Sequence, residues 1–186
     1  MFDAVTTMNR MTVIGNCRDN NTYSFQGGDS CVIIGFEAGH SSTAAQNSVF
    51  IGSQCADGAT NIDQAVVIGQ GAGQSAGDHS VHVGFTAGAA CTGTNNVSVG
   101  SGALDASGAA ANSVAIGKDA LTAATGSSNT AVGMSSLGSC AAGQNNTAIG
   151  ISAGSTITGG GDCVMLGKET QPSGENGNNQ IAIGKG

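Results

Sequence analysis

The sequence predicts an all-β parallel solenoid, and three observations lead to this fold class. A word of four residues, apolar–any–aliphatic–glycine, recurs eleven times along the 186-residue chain. Most copies follow a polar pair suited to a tight turn, as Asn95-Asn96 and Asn112-Ser113 are. The chain also has 32 glycines but only 3% aromatic residues. That composition suits a thin coil of small residues better than an ordinary core with aromatic layers.

Each copy of the word predicts one short strand. Its first and third positions are mostly β-branched, and residues two apart share one face of a strand. The glycines that end successive words stand 15 to 20 residues apart, a spacing typical of coils that stack in register. We predict that these glycines form the coil corners. They are Gly15, Gly35, Gly52, Gly69, Gly84, Gly100, Gly117, Gly133, Gly150, Gly167 and Gly184.

The second half of each coil is predicted to hold a second short strand. A small residue, such as Ala72 or Ala120, stands three positions after nearly every repeat glycine. The coil is too short for a strand–helix repeat, so we expect two strands joined by two turns rich in Asn and Gly. Stacking at about 4.8 Å predicts a rod about 50 Å long. Its interior would hold the Val and Ile side chains of the first and third positions, facing the small residues.

The middle position of each word is predicted to point away from that interior, because it alternates with the first and third. A solvent-facing strand is usually polar, yet nine of these eleven residues are apolar. A long apolar stripe outside the core favours association with further copies of the chain. The residues of this predicted oligomer interface are Val13, Ile33, Phe50, Val67, His82, Ser98, Ala115, Ala131, Ala148, Met165 and Ala182.

Two stretches resemble a known repeat. They read Asn112-Ser113-Val114-Ala115-Ile116-Gly117-Lys118-Asp119-Ala120 and Asn145-Asn146-Thr147-Ala148-Ile149-Gly150, and they are similar to the head repeat of trimeric autotransporter adhesins. The resemblance extends from about residue 12 to residue 184. It implies a left-handed parallel β-roll that packs as a homotrimer and attaches to host surfaces. Similar repeats occur in tail fibres and fibre-like proteins of phages and large viruses.

Two departures from the adhesin pattern favour a viral setting. The coil is somewhat longer than the adhesin repeat, and the sequence shows no neck, coiled-coil stalk or membrane anchor. We therefore expect a non-enzymatic fibre, spike or tail component of a virion, with other virion subunits at its termini and a host receptor or glycan as ligand. The alternative is the head of a bacterial surface adhesin. An ice-binding or scaffold solenoid fits less well, because Thr occupies only three of the eleven first positions.

Charge and hydropathy argue against several kinds of partner. Five basic residues against twelve acidic ones leave a net charge of −7. The bases are also scattered, so nucleic-acid binding is not expected. The chain has no run of about 18 apolar residues, so membrane insertion is not expected. The N-terminus lacks the basic and apolar blocks of a signal peptide, so we do not expect export by the general secretory route.

The six cysteines are expected to be reduced thiols that act as small core residues. Cys91 and Cys140 share a register but lie three coils apart, about 14 Å at the strand spacing. That distance is too long for a disulfide, and reduced thiols suit a reducing compartment. Bridges between chains, or a bridge between Cys17 and Cys31, are the alternative.

No catalytic, cofactor or metal site is predicted, and three histidines leave few options for a catalytic set. His79 and His82 lie three apart on a strand, so they face opposite sides. His82 alone could gather three copies around a three-fold axis, where a metal or anion is one hypothesis and a polar interface residue is the simpler interpretation. Asp29, Asp78 and Asp162 stand in turns, where backbone capping is expected and calcium binding is the alternative.

The ends of the chain differ from its middle. Residues 1–11 lack the repeat and are predicted to form an N-terminal arm or cap, and residues 12–186 form the β-roll domain. The first interval is the longest, so residues 16–31, with Tyr23 and Phe25, are predicted to form an enlarged loop. Receptor contacts are expected on outer loops, where the residue after each repeat glycine varies. Examples are Phe36, Gln70, Phe85, Lys118 and Lys168.

Overall fold

The structure is a computed structural model that describes residues 10–15, 18–19, 22–23, 29–42, 44–59, 62–106 and 108–184. It confirms the all-β parallel solenoid, because eleven strands form one parallel sheet in which each strand pairs with those of the adjacent coils. The residues described contain no helix. The strands are β1 (Thr12–Ile14), β2 (Arg18–Asp19), β3 (Thr22–Tyr23), β4 (Val32–Ile34), β5 (Val49–Ile51), β6 (Val66–Ile68), β7 (Val81–Val83), β8 (Val97–Val99), β9 (Val114–Ile116), β10 (Thr130–Val132), β11 (Thr147–Ile149), β12 (Val164–Leu166) and β13 (Ile181–Ile183).

Every copy of the word forms one strand of the large sheet, and equivalent positions stack on one another. Ala115 lies opposite Ala131, which in turn lies opposite Ala148. The strands β2 and β3 stand apart as a small antiparallel pair, with Arg18 opposite Tyr23, within the segment predicted as an enlarged loop. Residues 1–9 of the predicted arm, and Phe25, lie outside the described residues.

The turn before each strand has the left-handed backbone that its sequence predicts. Asn47, two positions before β5, has a φ of 50°. Four asparagines at the same register have φ between 55° and 59°. Asn tolerates this region because its short polar side chain can bond to nearby backbone groups. The four residues are Asn95, Asn112, Asn145 and Asn179.

The second half of each coil is not a strand, so that prediction is wrong. In the coils that follow Gly35 to Gly150, residues two and four positions after the repeat glycine have positive φ even where they are not glycine, for example 55° at Gln54 and 53° at Ala56. An extended strand needs negative φ throughout, so this wall bends into successive turns. It still joins the coils, because Gln54 donates its N–H to the Phe36 carbonyl at 2.8 Å and Ala56 donates to the Ala72 carbonyl at 2.9 Å.

The small residues predicted for this wall do line the interior. They lie three positions after the repeat glycines, and all of them are buried. Their small side chains leave space in the interior for a further column of side chains from the sheet. These residues are Ala38, Cys55, Ala72, Ala87, Ala103, Ala120, Ser136, Ala153 and Thr170.

That further column comes from the middle of each strand, so the predicted outward orientation of these residues is wrong. Each strand of the large sheet up to β12 has a buried middle residue between two half-buried or exposed ones, as β5 and β9 do. The cause is the limited volume inside the coil. A close-packed interior that already contains side chains of the opposite wall cannot also hold the two columns of Val and Ile from the first and third strand positions. The residues that lie inside are Val13, Ile33, Phe50, Val67, His82, Ser98, Ala115, Ala131, Ala148 and Met165, all buried, with Ala182 half-buried.

Two hydrophobic clusters fill this interior. One is drawn from residues between Met11 and Ala76, and the other from residues between Cys91 and Met165. Where the two clusters meet, two polar side chains, His82 and Ser98, interrupt the apolar column of middle residues, and both are buried. A solenoid is stabilised by contacts between neighbouring coils, so the apolar contacts within this column are interrupted at His82 and Ser98.

Candidate interaction face

The outer surface of the eleven-stranded sheet is a continuous aliphatic face. It consists of two columns, formed by the first and third residues of each strand, such as Val114 and Ile116 of β9. We call this surface the aliphatic face. Ile116 is 40% exposed and Ile149 is 45% exposed. Its only residues that are not aliphatic are Thr12, Thr130 and Thr147.

The shape and charge of the aliphatic face distinguish it from an ordinary solvated surface. At about 4.8 Å per strand and about 3.3 Å per residue, it measures about 50 Å by 10 Å. Neither column contains a charged residue. A solvated sheet face is usually polar, whereas a sheet covered on both faces reads as aliphatic on both. Extended apolar surfaces are typical of sites that bind another surface, so the aliphatic face is a candidate interaction site.

One edge of the aliphatic face continues into the residues that follow the repeat glycines. Phe36 and Phe85 are 52% and 56% exposed, and Met134 and Ile151 are also exposed. They add large apolar groups beside the third-position column. The variable outer residues predicted from the sequence all lie exposed at this register. They are Phe36, Gln70, Phe85, Lys118 and Lys168.

His82 does not lie on this face, so the hypothesis of a three-fold metal or anion site at its ring is wrong. Its side chain is fully buried inside its own coil. The ring Nδ1 is 2.7 Å from Ser98 Oγ, and Nε2 has no hydrogen-bond partner. Burial lowers the pKa of this imidazole, so the ring is neutral near pH 7. His79, three residues earlier, is exposed.

A polar cluster, the trio of Ser41, His40 and Asp57, was not predicted from the sequence. His40 Nδ1 lies 2.8 Å from Asp57 Oδ1 and 3.3 Å from Ser41 Oγ. The contact between His40 and Asp57 could have been predicted from the repeat, because both residues stand five positions after a repeat glycine in adjacent coils. In a catalytic triad, the acid and the nucleophile bond to opposite ring nitrogens. Both contacts here involve Nδ1, so the trio lacks the arrangement that activates a serine.

The cysteines of the described residues are buried thiols, and none of them forms a disulfide. They are Cys31, Cys55, Cys91, Cys140 and Cys163, whereas Cys17 lies outside the described residues. Burial raises the pKa of the Cys31 and Cys140 thiols. A raised pKa reduces the thiolate fraction, so these thiols react slowly with electrophiles and oxidants.

The predicted turn aspartates bond to neighbouring turns. Asp78 Oδ1 accepts a hydrogen bond from the Asp63 N–H at 2.9 Å, and Asp162 Oδ1 accepts one from Asn145 Nδ2 at 3.1 Å. Asp29 takes part in a parallel backbone bridge with Gln46. Within the part of the chain that the structure describes, no three His, Cys, Asp or Glu side chains are grouped so that they could hold a metal ion.

Two further findings bear on the setting of this surface. In the described ranges, no helix has the length and apolar character needed to span a bilayer. No protein-family profile, curated protein or solved structure matches this chain.

Proposed function

We propose that the protein is a non-enzymatic structural rod that assembles as a homotrimer and serves as a fibre, spike or tail component of a virus or phage, with a role in attachment. The observation that carries this proposal is the aliphatic face. A rod that leaves about 50 Å of Val and Ile side chains in water is incomplete as a single chain.

A second copy of the same chain is the simplest cover for the aliphatic face. The face is uncharged and built on one repeating unit, so a second copy offers it the same aliphatic surface. Closed cyclic symmetry would cover it equally in every copy. The choice of three copies, and of a virion over other settings, rests on the resemblance of the words around Val114 and Thr147 to fibre and adhesin-head repeats.

Attachment would use the remaining surface of such a rod. The aliphatic face would turn inward, and the turns would face outward with residues that differ from coil to coil. Polar residues such as Gln70 and Lys118, at the edge of the aliphatic face, give each level of the rod a different outer chemistry. The receptor or glycan partner would be recognised there, since loops on a rigid scaffold can vary without loss of the fold.

Light scattering after size-exclusion chromatography tests the assembly. Wild type is expected at three times the chain mass. Ile116→Lys and Ile149→Lys, which place a charge on the aliphatic face, are expected to give monomers. Ala142→Lys is the matched control, because Ala142 is exposed on a turn outside the strands, and it should leave the mass unchanged.

A monomeric wild type, or a trimer that survives both lysines on the aliphatic face, would overturn the assembly. Gold-labelled antibodies against the protein test the setting. Labelling of fibres, spikes or tails on purified particles supports the virion role. Labelling of bacterial surfaces alone would favour an adhesin head instead.

A further inference from the structure

His82 differs from the other buried polar side chains in the described part of the chain. Those side chains are the neutral groups of Ser, Asn and Thr, whereas His82 carries an imidazole that can gain a proton. It also interrupts the apolar column of middle residues where the two hydrophobic clusters meet. The core therefore contains an ionisable base at the point where its apolar packing is interrupted.

The surroundings of His82 suit the neutral ring and offer no counter-charge to a protonated one. Val67 precedes it in the stack and Ser98 follows it. Across the coil, a Cβ added to Gly88 would lie 2.2 Å from His82 Nδ1, so the ring packs directly against the opposite wall. Nε2, which must carry a proton or accept a hydrogen bond, has no partner.

The titratable groups near His82 bond to other partners and not to its ring. The strands on either side, β6 and β8, contain none. Cys91 of the same coil is a buried thiol that accepts a hydrogen bond from Asn96 Nδ2 at 3.2 Å. Asp78 and Asp105 lie in turns, where Asp78 accepts the Asp63 N–H and Asp105 accepts from Thr86.

We propose that His82 makes the middle of the solenoid an acid-sensitive breakpoint. Protonation of the ring opens the coils around β6, β7 and β8, while the coils on either side stay folded. In the open state, water can form a hydrogen bond with Nε2, which has no hydrogen-bond partner in the closed coil. The device belongs to the single chain and does not depend on the proposed virion role.

The direction of the effect follows from the pKa of His82. Burial lowers it from an ordinary value of 6.5 to about 4. The closed state therefore keeps its full stability above about pH 6.5, and loses it progressively as the pH falls towards 4. By linkage, the ratio of open to closed coil at pH 5 should be about twenty times its value at pH 7, and about thirty times its value at pH 7.5.

The opening stays local because a solenoid is stabilised by contacts between neighbouring coils. The cluster between Cys91 and Met165 contains no buried imidazole or carboxylate. The backbone amides of its strands should stay protected from hydrogen exchange at a pH at which the amides around β7 exchange.

Hydrogen-exchange mass spectrometry tests this proposal on the full chain, with protection factors referred to the intrinsic rate at each pH. Between pH 7.5 and pH 5, protection should fall about thirty-fold in peptides covering β6 to β8. Peptides covering β10 to β12 should keep theirs. His82→Val should abolish the local loss. The precedent for valine is Val67, which packs over Gly73 as His82 packs over Gly88.

His79→Gln is the matched control, because it removes an exposed imidazole three residues away and should behave as wild type. The proposal fails if wild-type protection around β7 does not change with pH, or if His82→Val opens as readily as wild type. It also fails if the whole sheet opens together.

A second measurement does not require the valine variant to fold. The imidazole signals of the wild-type protein can be followed by NMR as the pH falls, with His40→Gln and His79→Gln used for assignment. The His82 ring should remain neutral below pH 6, and should gain its proton together with the loss of protection. Titration of His82 near pH 6.5 in a fully protected coil would overturn the proposal.

Discussion

His82 and Gly88 share one space inside their coil, because the imidazole occupies the position where a side chain at residue 88 would lie. A Cβ built on Gly88 would be 2.2 Å from Nδ1 of the ring. The same exchange of volume recurs in the coils from β4 to β10, but not at Ala148, which precedes Gly154. Where the strand contributes a large middle residue, such as Val67, the residue six positions later is small, as Gly73 is. Where the middle residue of the strand is alanine, the residue six positions later is often leucine.

The contact between His82 and Gly88 predicts a strong effect of Gly88→Ala. The added methyl would overlap the ring, and alanine would also have to adopt a φ of 63°. Overpacking and the unfavourable backbone together should reduce the free energy of unfolding by about 2–4 kcal/mol. Urea denaturation followed by circular dichroism measures the change.

Gly108→Ala is the matched control, because nothing lies within 4 Å of a Cβ at Gly108. It should be neutral or slightly stabilising. If Gly88→Ala is equally harmless, or if His82→Ala does not relieve it in the double variant, the shared space is not the cause.

The exchange of volume also predicts coupling between Ala115 and Leu121. Both are fully buried, and they stand at the registers of Val67 and Gly73. Leu121→Gly should cost about 2–5 kcal/mol through the cavity, partly offset because glycine adopts the φ of 52° at this position more easily than leucine does. Ala115→Val alone should cost about 1–3 kcal/mol through overpacking. Combined, they recreate the pair found at Val67 and Gly73, so the double variant should be more stable than the sum predicts by about 1 kcal/mol or more.

Thermal or urea unfolding of the two single variants and the double variant measures this coupling. Strict additivity would contradict it.

A ladder of buried asparagines beside the strands predicts a third effect. Asn146 donates through Nδ2 to the Gly160 carbonyl at 2.8 Å, and its Oδ1 accepts the Cys163 N–H at 3.0 Å. Asn146→Ala would leave both buried backbone groups without these bonds, at a cost of about 2–4 kcal/mol. Differential scanning calorimetry should show a lower Tm.

Asn146→Ser provides the comparison, because Ser48 at the same register accepts the Ala65 N–H through Oγ at 3.1 Å. Serine should therefore recover part of the loss. Equal destabilisation by alanine and serine would show that packing volume, and not the hydrogen bonds, decides the effect.

The buried thiols predict slow chemistry in the folded protein. Burial raises the pKa of Cys140, and Cys91 and Cys140 are fully buried. Both should resist a maleimide reagent at pH 7 under native conditions and react fully in denaturant. Peptide mapping after labelling measures each site, and a non-reducing gel should show no bridge between them. Rapid native labelling of Cys140 would contradict its placement.

Much of the fold can be predicted because it depends on local rules. The word around Val114 predicts a strand, its regular spacing predicts parallel stacking in register, and Asn112 predicts a left-handed corner. The buried ladder of Ala72 and its equivalents also follows from the repeat. Each of these depends on the backbone preference of a few residues or on the length of one coil.

The candidate interaction face could not be predicted in the same way. Val114 and Ile116 form one face of β9 and Ala115 forms the other, and alternation alone treats the two faces alike. The deciding quantity is the volume that the opposite wall brings into the coil, for instance the side chain of Leu121. The compensation between residues six apart was visible in the sequence, and could have indicated which face lies inside.

The sequence by itself determined an eleven-strand parallel solenoid with its corners in place, because spacing and backbone preference act within one coil. Only the tertiary structure decided that the middle residues fill the core and that Val and Ile cover the outside. It also decided the burial of His82 and the meeting of His40 with Asp57. These outcomes depend on how much space remains when two walls and two neighbouring coils are packed together, and no single coil contains that information.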